Sequence, residues 1–188
     1  MLQFFKGVLV AELFALWVEF FYSFGIKEQP NHFFIAIPVY FVYLCALHRI
    51  FLIFRGRRFL WLIGIAIGGI AGLLMEWFLV GNSPWKHPEV FQSGQFLVHG
   101  AYPILGYLLV STPDTSPLRN RLICYMMAAS GITSVGFAFG NSNLQKLWFI
   151  FLPLVVFVGL YYFIFRLGTS PLLARIVPGR SPLQVHTE

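Results

Sequence analysis

Charged side chains are scarce in this chain. They make up 11% of its 188 residues, and only 7 residues are acidic, whereas roughly a quarter of an average soluble domain is charged. A soluble fold of this length has too little interior to hide a sequence that is 58% hydrophobic and 19% aromatic without exposing large apolar patches. Cysteine is equally thin. Cys45 and Cys124 lie in separate apolar runs with no CxxC pair, which excludes a disulfide scaffold and a dithiol redox centre and leaves packing as their expected role. Phosphate loops, dinucleotide fingerprints and calcium loops are missing too, so neither a nucleotide-driven activity nor a cofactor is expected.

What the sequence does have is long apolar runs. Spanning a hydrocarbon layer of ~30 Å takes about 20 helical residues, and six segments meet or approach that length: 4–24, 32–54, 59–80, 94–112, 118–139 and 144–167. The first run follows a single Lys6 as a signal peptide would. Glu12 and Glu19 interrupt it and no small-residue cleavage pattern follows, so a retained first helix is expected. The fold class is therefore an all-α integral membrane protein, a single bundle of six transmembrane helices over residues 1–167. Residues 168–188, with three prolines and mixed polarity, are expected to form an interfacial or disordered tail.

The net charge of +6 could suggest a nucleic-acid partner, but the basic residues flank the apolar runs in short clusters. With six spans, Lys6, Arg49, Arg55, Arg57, Arg58, Arg119, Arg121, Arg166, Arg175 and Arg180 share one side, and only Lys27, Lys86 and Lys146 lie on the other. The positive-inside rule then puts both termini in the cytoplasm of a multi-pass cell-membrane protein, with membrane lipid as its solvent and no nucleic acid as partner.

Ionisable groups at membrane depth cost about 2.5 to 3.5 kcal/mol each on insertion scales, so each needs a reason. Four are taken to lie at that depth: Glu12, Glu19, Glu76 and His99. Glu12 and Glu19 are two turns apart on one helix face. Gly64, Gly68 and Gly72 recur at four-residue intervals and Glu76 continues the series, so Glu76 is expected to face a closely approaching helix. That helix could belong to this chain, to a second copy or to a complex partner. Counting about 1.5 Å per residue from each span's middle places Glu19, Glu76 and His99 roughly 6 to 10 Å toward the external side, with Glu12 deeper.

Two carboxyls and an imidazole at one level predict an external-side pocket that handles a proton, a cation, or a small or amphipathic molecule. Glu76 is its central acid, His99 its proton partner, and Glu19 shares the charge. Glu12 continues the route inward, Trp17 and Tyr22 supply aromatic wall, and Trp85 and His87 in the external connection 81–93 act as a lid. His32 caps the same region. The bland alternative is that each acid bonds to a neighbouring helix and only fixes the packing.

Two further functions compete with transport. One is a membrane enzyme acting on a lipid or isoprenoid with Glu19 or Glu76 as general acid. "WVEFFYSFG" from Trp17 is similar over that stretch to the Trp, Glu, aromatic pattern of integral-membrane terpene cyclases, although the second acid of such enzymes has no secure counterpart here. The other is a non-catalytic subunit of a larger complex. An intramembrane serine protease is a poor fit: Ser130, Thr133 and Ser134 lie among small residues, but no histidine occurs in the last span to act as base. Metal binding is not expected either, because no two histidines stand at i, i+4. Glu19, Glu76, His87 and His99 could supply ligands only by meeting in space. Haem would need His32 and His99 to face each other, which is not expected.

Overall fold

The computed structural model of the chain describes residues 2–53, 60–80 and 95–168. The described residues form six α-helices: α1 Leu2–Phe20, α2 Pro30–Ile53, α3 Leu60–Met75, α4 Gln95–Ser111, α5 Pro117–Ser134 and α6 Asn143–Gly168. Each expected apolar run coincides with one of these to within a few residues. Among the described residues, four stretches, Pro30–Ile53, Leu62–Leu79, Pro117–Phe139 and Asn143–Gly168, are long and apolar enough to cross a membrane. The expected lid residues Trp85 and His87, and the tail from residue 169 onward, lie outside the described residues.

Local sequence explains the helix boundaries. Pro30 and Pro117 open α2 and α5, where a missing N–H costs nothing. Gly140 takes a left-handed φ of 53° before α6, and the backbone N–H of Gln145 then donates to Ser142 Oγ at 3.3 Å, an N-cap contact. Three helices change winding at their ends: α1 runs into a π-helical turn, Phe21–Ile26, α3 into another, Glu76–Val80, and α5 into a 3-10 turn, Val135–Phe139.

The central helix is α4, which packs against α1, α2, α3 and α6 and is buried almost continuously from His99 to Gly106. Its closest neighbour is α3, because the glycine ridge removes side-chain bulk where the two helices cross. A Cβ on Gly68 would meet the His99 carbonyl oxygen at 3.1 Å and the Gly100 Cα at 3.2 Å. On the facing helix, a Cβ on Gly100 would meet the Ile65 carbonyl oxygen at 2.7 Å. The occupant of the ridge is thus the chain's own α4, with Phe51 and Ile104 beside Gly64. A homo-oligomer or complex partner does not have this surface to itself.

Phe14, Tyr40, Leu44, Phe51, Tyr102 and Leu105 belong to one buried cluster. Leu13, Phe34, Val42, Phe78, Met127 and Val158 are exposed on the outside, a surface suited to lipid rather than water. The Ser/Thr group of α5 is structural. Thr133 Oγ1 donates to the Ala129 carbonyl at 2.7 Å and Ser134 Oγ to that of Ser130 at 2.8 Å, bonds within the helix that leave no activated hydroxyl.

Candidate functional site

Glu19 and Glu76 both sit where a helix changes winding. Glu19 lies just before the π-turn of α1, and Glu76 is the first residue of the π-turn of α3. Such turns are rare and recur at functional sites because they re-aim the side chains around them. Here they bring two carboxyls from different helices to one tyrosine. The Tyr40 hydroxyl, buried on α2, stands 3.2 Å from Glu19 Oε2 and 3.5 Å from Glu76 Oε1. The other Glu19 oxygen, Oε1, accepts a bond of 2.6 Å from Ser23 Oγ.

The fourth member arrives from α4. His99 Nε2 is 3.6 Å from Glu76 Oε1, an electrostatic contact rather than a hydrogen bond. The imidazole is only 2% exposed and rests against Gly72, where a Cβ would overlap its ring. Tyr102 meets it edge-on at a centroid distance of 6.0 Å, and Tyr40 and Tyr43 flank it at 6.1 and 6.2 Å. Its Nδ1 has no hydrogen-bond partner among the described residues.

The backbone around His99 is secured separately. Pro103 lies four residues after His99 and has no N–H to give its carbonyl. The Tyr43 hydroxyl takes that role at 3.1 Å while also reaching the Gly68 carbonyl at 2.6 Å. One side chain of α2 thereby pins α3 to α4 at the level of the imidazole.

Glu19, Tyr40 and Glu76 of this cluster open on a cleft lined also by Tyr22, Lys27 and His32, with Ile35, Ala36, Val39 and Met75 as its apolar wall; His99 lies behind Glu76 and does not line it. The cavity volume is about 30 Å³, and a single water needs roughly 10 to 15 Å³. The cleft therefore has room for a water or two, or a small ion. Lys27 covers the Tyr22 ring at 5.2 Å. Lys146 stands 3.9 Å from Glu28, so the turn between α5 and α6 closes on the same end of the bundle.

Glu19, Glu76 and His99, which depth counting placed at one level, do come together. Tyr22 and His32 line the cleft as expected. Trp17 is not among the lining residues; it packs in an aromatic group with Phe14 and Phe21, at 5.4 and 5.6 Å. Glu12 is buried deeper, 6% exposed, with neither carboxyl oxygen bonded among the described residues. His32 lines the cleft and His99 is not among its lining residues, and nothing among the described residues brings the two face to face as haem ligands. Among the described residues no three His, Cys, Asp or Glu side chains are placed to share a metal ion.

Sequence reasoning passed over Tyr40, Tyr43, Ser23 and His48. The available signal was spacing for one pair: Tyr40 and Tyr43 stand three residues apart on one face of α2, while His48, five residues beyond Tyr43, gave no such sign. Comparison with known proteins finds no matching family, no similar curated protein and no similar solved structure, so function has to be argued from the site's chemistry.

Proposed function

We propose that the chain is a six-span cell-membrane protein with both termini in the cytoplasm, and that its external-side cluster of Glu19, Tyr40, Glu76 and His99 binds and passes protons. The observation that carries this reading is the position of the Tyr40 hydroxyl between two carboxyls. A hydroxyl has one proton to donate. Both contacts are hydrogen bonds only when one carboxyl is protonated and donates to the Tyr40 oxygen while Tyr40 donates to the other. The arrangement thus holds one exchangeable proton between Glu19 and Glu76. Moving it takes a concerted shift in which one carboxyl loses its O–H, the tyrosine oxygen gains and loses one, and the second carboxyl gains one. His99 is the next base in line from Glu76.

Size supports a proton or hydronium over an amphipathic molecule, since the cleft accommodates no more than small species. The same consideration weighs against the lipid-modifying enzyme. Burial adds a further argument: ionisable groups placed this deep are costly unless they serve a pathway, and here four polar side chains from four helices converge.

The test is infrared difference spectroscopy on the purified protein between acid and alkaline buffer. A protonated-carboxyl band should appear, and Glu76→Gln should remove the Glu76 component and shift the Glu19 one. In Tyr40→Phe the bands of the two acids should become independent of one another. A spectrum unchanged by Glu76→Gln would remove the reading.

A further inference from the structure

Buried ionisable groups continue below the cleft. Helices α1 and α2 pack against each other, with Glu19 beside Tyr40 at one end and Gly7 beneath the His48 ring at the other. Between these levels lies Glu12, about 10.5 Å along the axis from Glu19 and about 7.5 Å from Gly7 at 1.5 Å per residue. Glu12 and His48 are 6% and 4% exposed. Neither Glu12 oxygen, nor His48 Nδ1, has a hydrogen-bond partner among the described residues.

The surroundings of His48 are specific. A Cβ on Gly7 would overlap the imidazole, so glycine is what admits the ring. Phe4 meets it edge-on at 5.1 Å and Tyr107 of α4 flanks it at 6.2 Å. The next residue, Arg49, stacks its guanidinium over Phe4 at 5.0 Å and marks the polar end of the span. Cys45 of α2 lies within electrostatic range of both Glu12 and Arg49. The cluster in the cleft uses neither Glu12 nor His48, and packing alone gives no reason to leave a carboxyl and an imidazole nitrogen unbonded at this depth.

We infer that Glu12 and His48 form a second proton-binding station, which extends the cleft cluster into a path through the bundle to the Arg49 end. The inference rests on the proton reading of the cleft. A proton leaves the Glu19 carboxyl and joins the Glu12 carboxylate. It then leaves Glu12 for the free nitrogen of His48, and the resulting imidazolium releases a proton from its other nitrogen to water at the Arg49 end of the bundle. Every O–H or N–H bond broken is matched by one formed, and the gradient sets the direction. The intervening distances call for side-chain swings or bridging waters.

The experiment is proton flux into vesicles of phosphatidylcholine and phosphatidylglycerol containing the full chain, read by a trapped pH-sensitive dye under a valinomycin-set potassium potential. Glu12→Gln and His48→Gln should each slow flux at least tenfold while leaving the cleft's infrared carboxyl signal in place. Gly7→Ala, which retains every titratable group and only displaces the ring, should slow it several-fold, and it serves should His48→Gln fail to fold. Native-like flux in all three variants overturns the path and leaves the cleft site standing. So does a native chain that conducts no faster than protein-free vesicles yet keeps its infrared signal. Loss of that signal from the native protein takes down the cleft reading, and the path with it.

Discussion

His99 Nε2 stands 3.6 Å from Glu76 Oε1 with both side chains closed off from the surface. The pair comes from two helices whose backbones nearly touch through Gly68 and Gly100. Site geometry and helix packing are therefore one property here, since bulk added at the crossing would move the imidazole away from the carboxyl.

This makes the crossing measurable. Gly100→Ala puts a Cβ within 2.7 Å of the Ile65 carbonyl oxygen, a backbone atom that a rotamer change does not relieve. Overpacking of this kind costs about 1 to 3 kcal/mol, and unfolding of the detergent-solubilised protein should show a loss in that range. Gly131 on α5 is the control, because a Cβ there meets nothing within 4 Å. Gly131→Ala should stabilise by about 0.5 to 1 kcal/mol through helix propensity. Equal behaviour of the two variants would contradict the close crossing.

Tyr43 is expected to matter for stability rather than for protons. Tyr43→Phe removes the donor to the His99 and Gly68 carbonyls, the first of which Pro103 has already deprived of its helical partner. Side-chain hydrogen bonds inside membrane proteins contribute on average about 0.6 kcal/mol and reach about 1.7. The loss should stay within that range because the one Tyr43 proton is divided between two carbonyls, and proton flux should fall by less than in Tyr40→Phe. A Tyr43→Phe protein as stable as the native chain would show that the contact does not hold α3 to α4.

The proposed orientation has its own test. In a chain with Cys45 and Cys124 replaced by serine, a cysteine introduced as Lys27→Cys or Lys146→Cys should react with an impermeant maleimide added outside whole cells. Arg121→Cys should react only after the membrane is opened. The reverse pattern would invert the topology and place the cleft on the cytoplasmic side.

Much of this arrangement was legible in the sequence, for reasons that differ by residue. Helix ends followed from the polar breaks between apolar runs, whereas α2 and α5 begin at Pro30 and Pro117, ahead of the expected 32 and 118. The shared level of Glu19, Glu76 and His99 followed from counting residues inward, because the helical rise converts sequence position into depth; which way each helix turns its side chain, and so their contact through Tyr40, did not. The glycine ridge announced a close contact but not its partner, since small residues fit any helix; only the tertiary structure shows that α4 fills it. Tyr40 was not legible, as a tyrosine in an aromatic-rich span looks like wall until its hydroxyl is seen between two acids. His48 was overlooked because Arg49 beside it made the position read as the polar end of a span, whereas Gly7 opens a buried seat for the ring. Trp17 was misplaced by a related ambiguity: it shares the first helix with Glu19 but turns toward Phe14 and Phe21.

The central claim is that Tyr40 couples the protonation of Glu19 to that of Glu76. The most direct measurement is the infrared carboxyl titration of Glu76 in Glu19→Gln, made once with Tyr40 intact and once with Tyr40→Phe. With Tyr40 intact, Glu19→Gln should shift the midpoint of the Glu76 band; with Tyr40→Phe the same change should shift it far less. A Glu76 titration indifferent to Glu19 when Tyr40 is present would contradict the account.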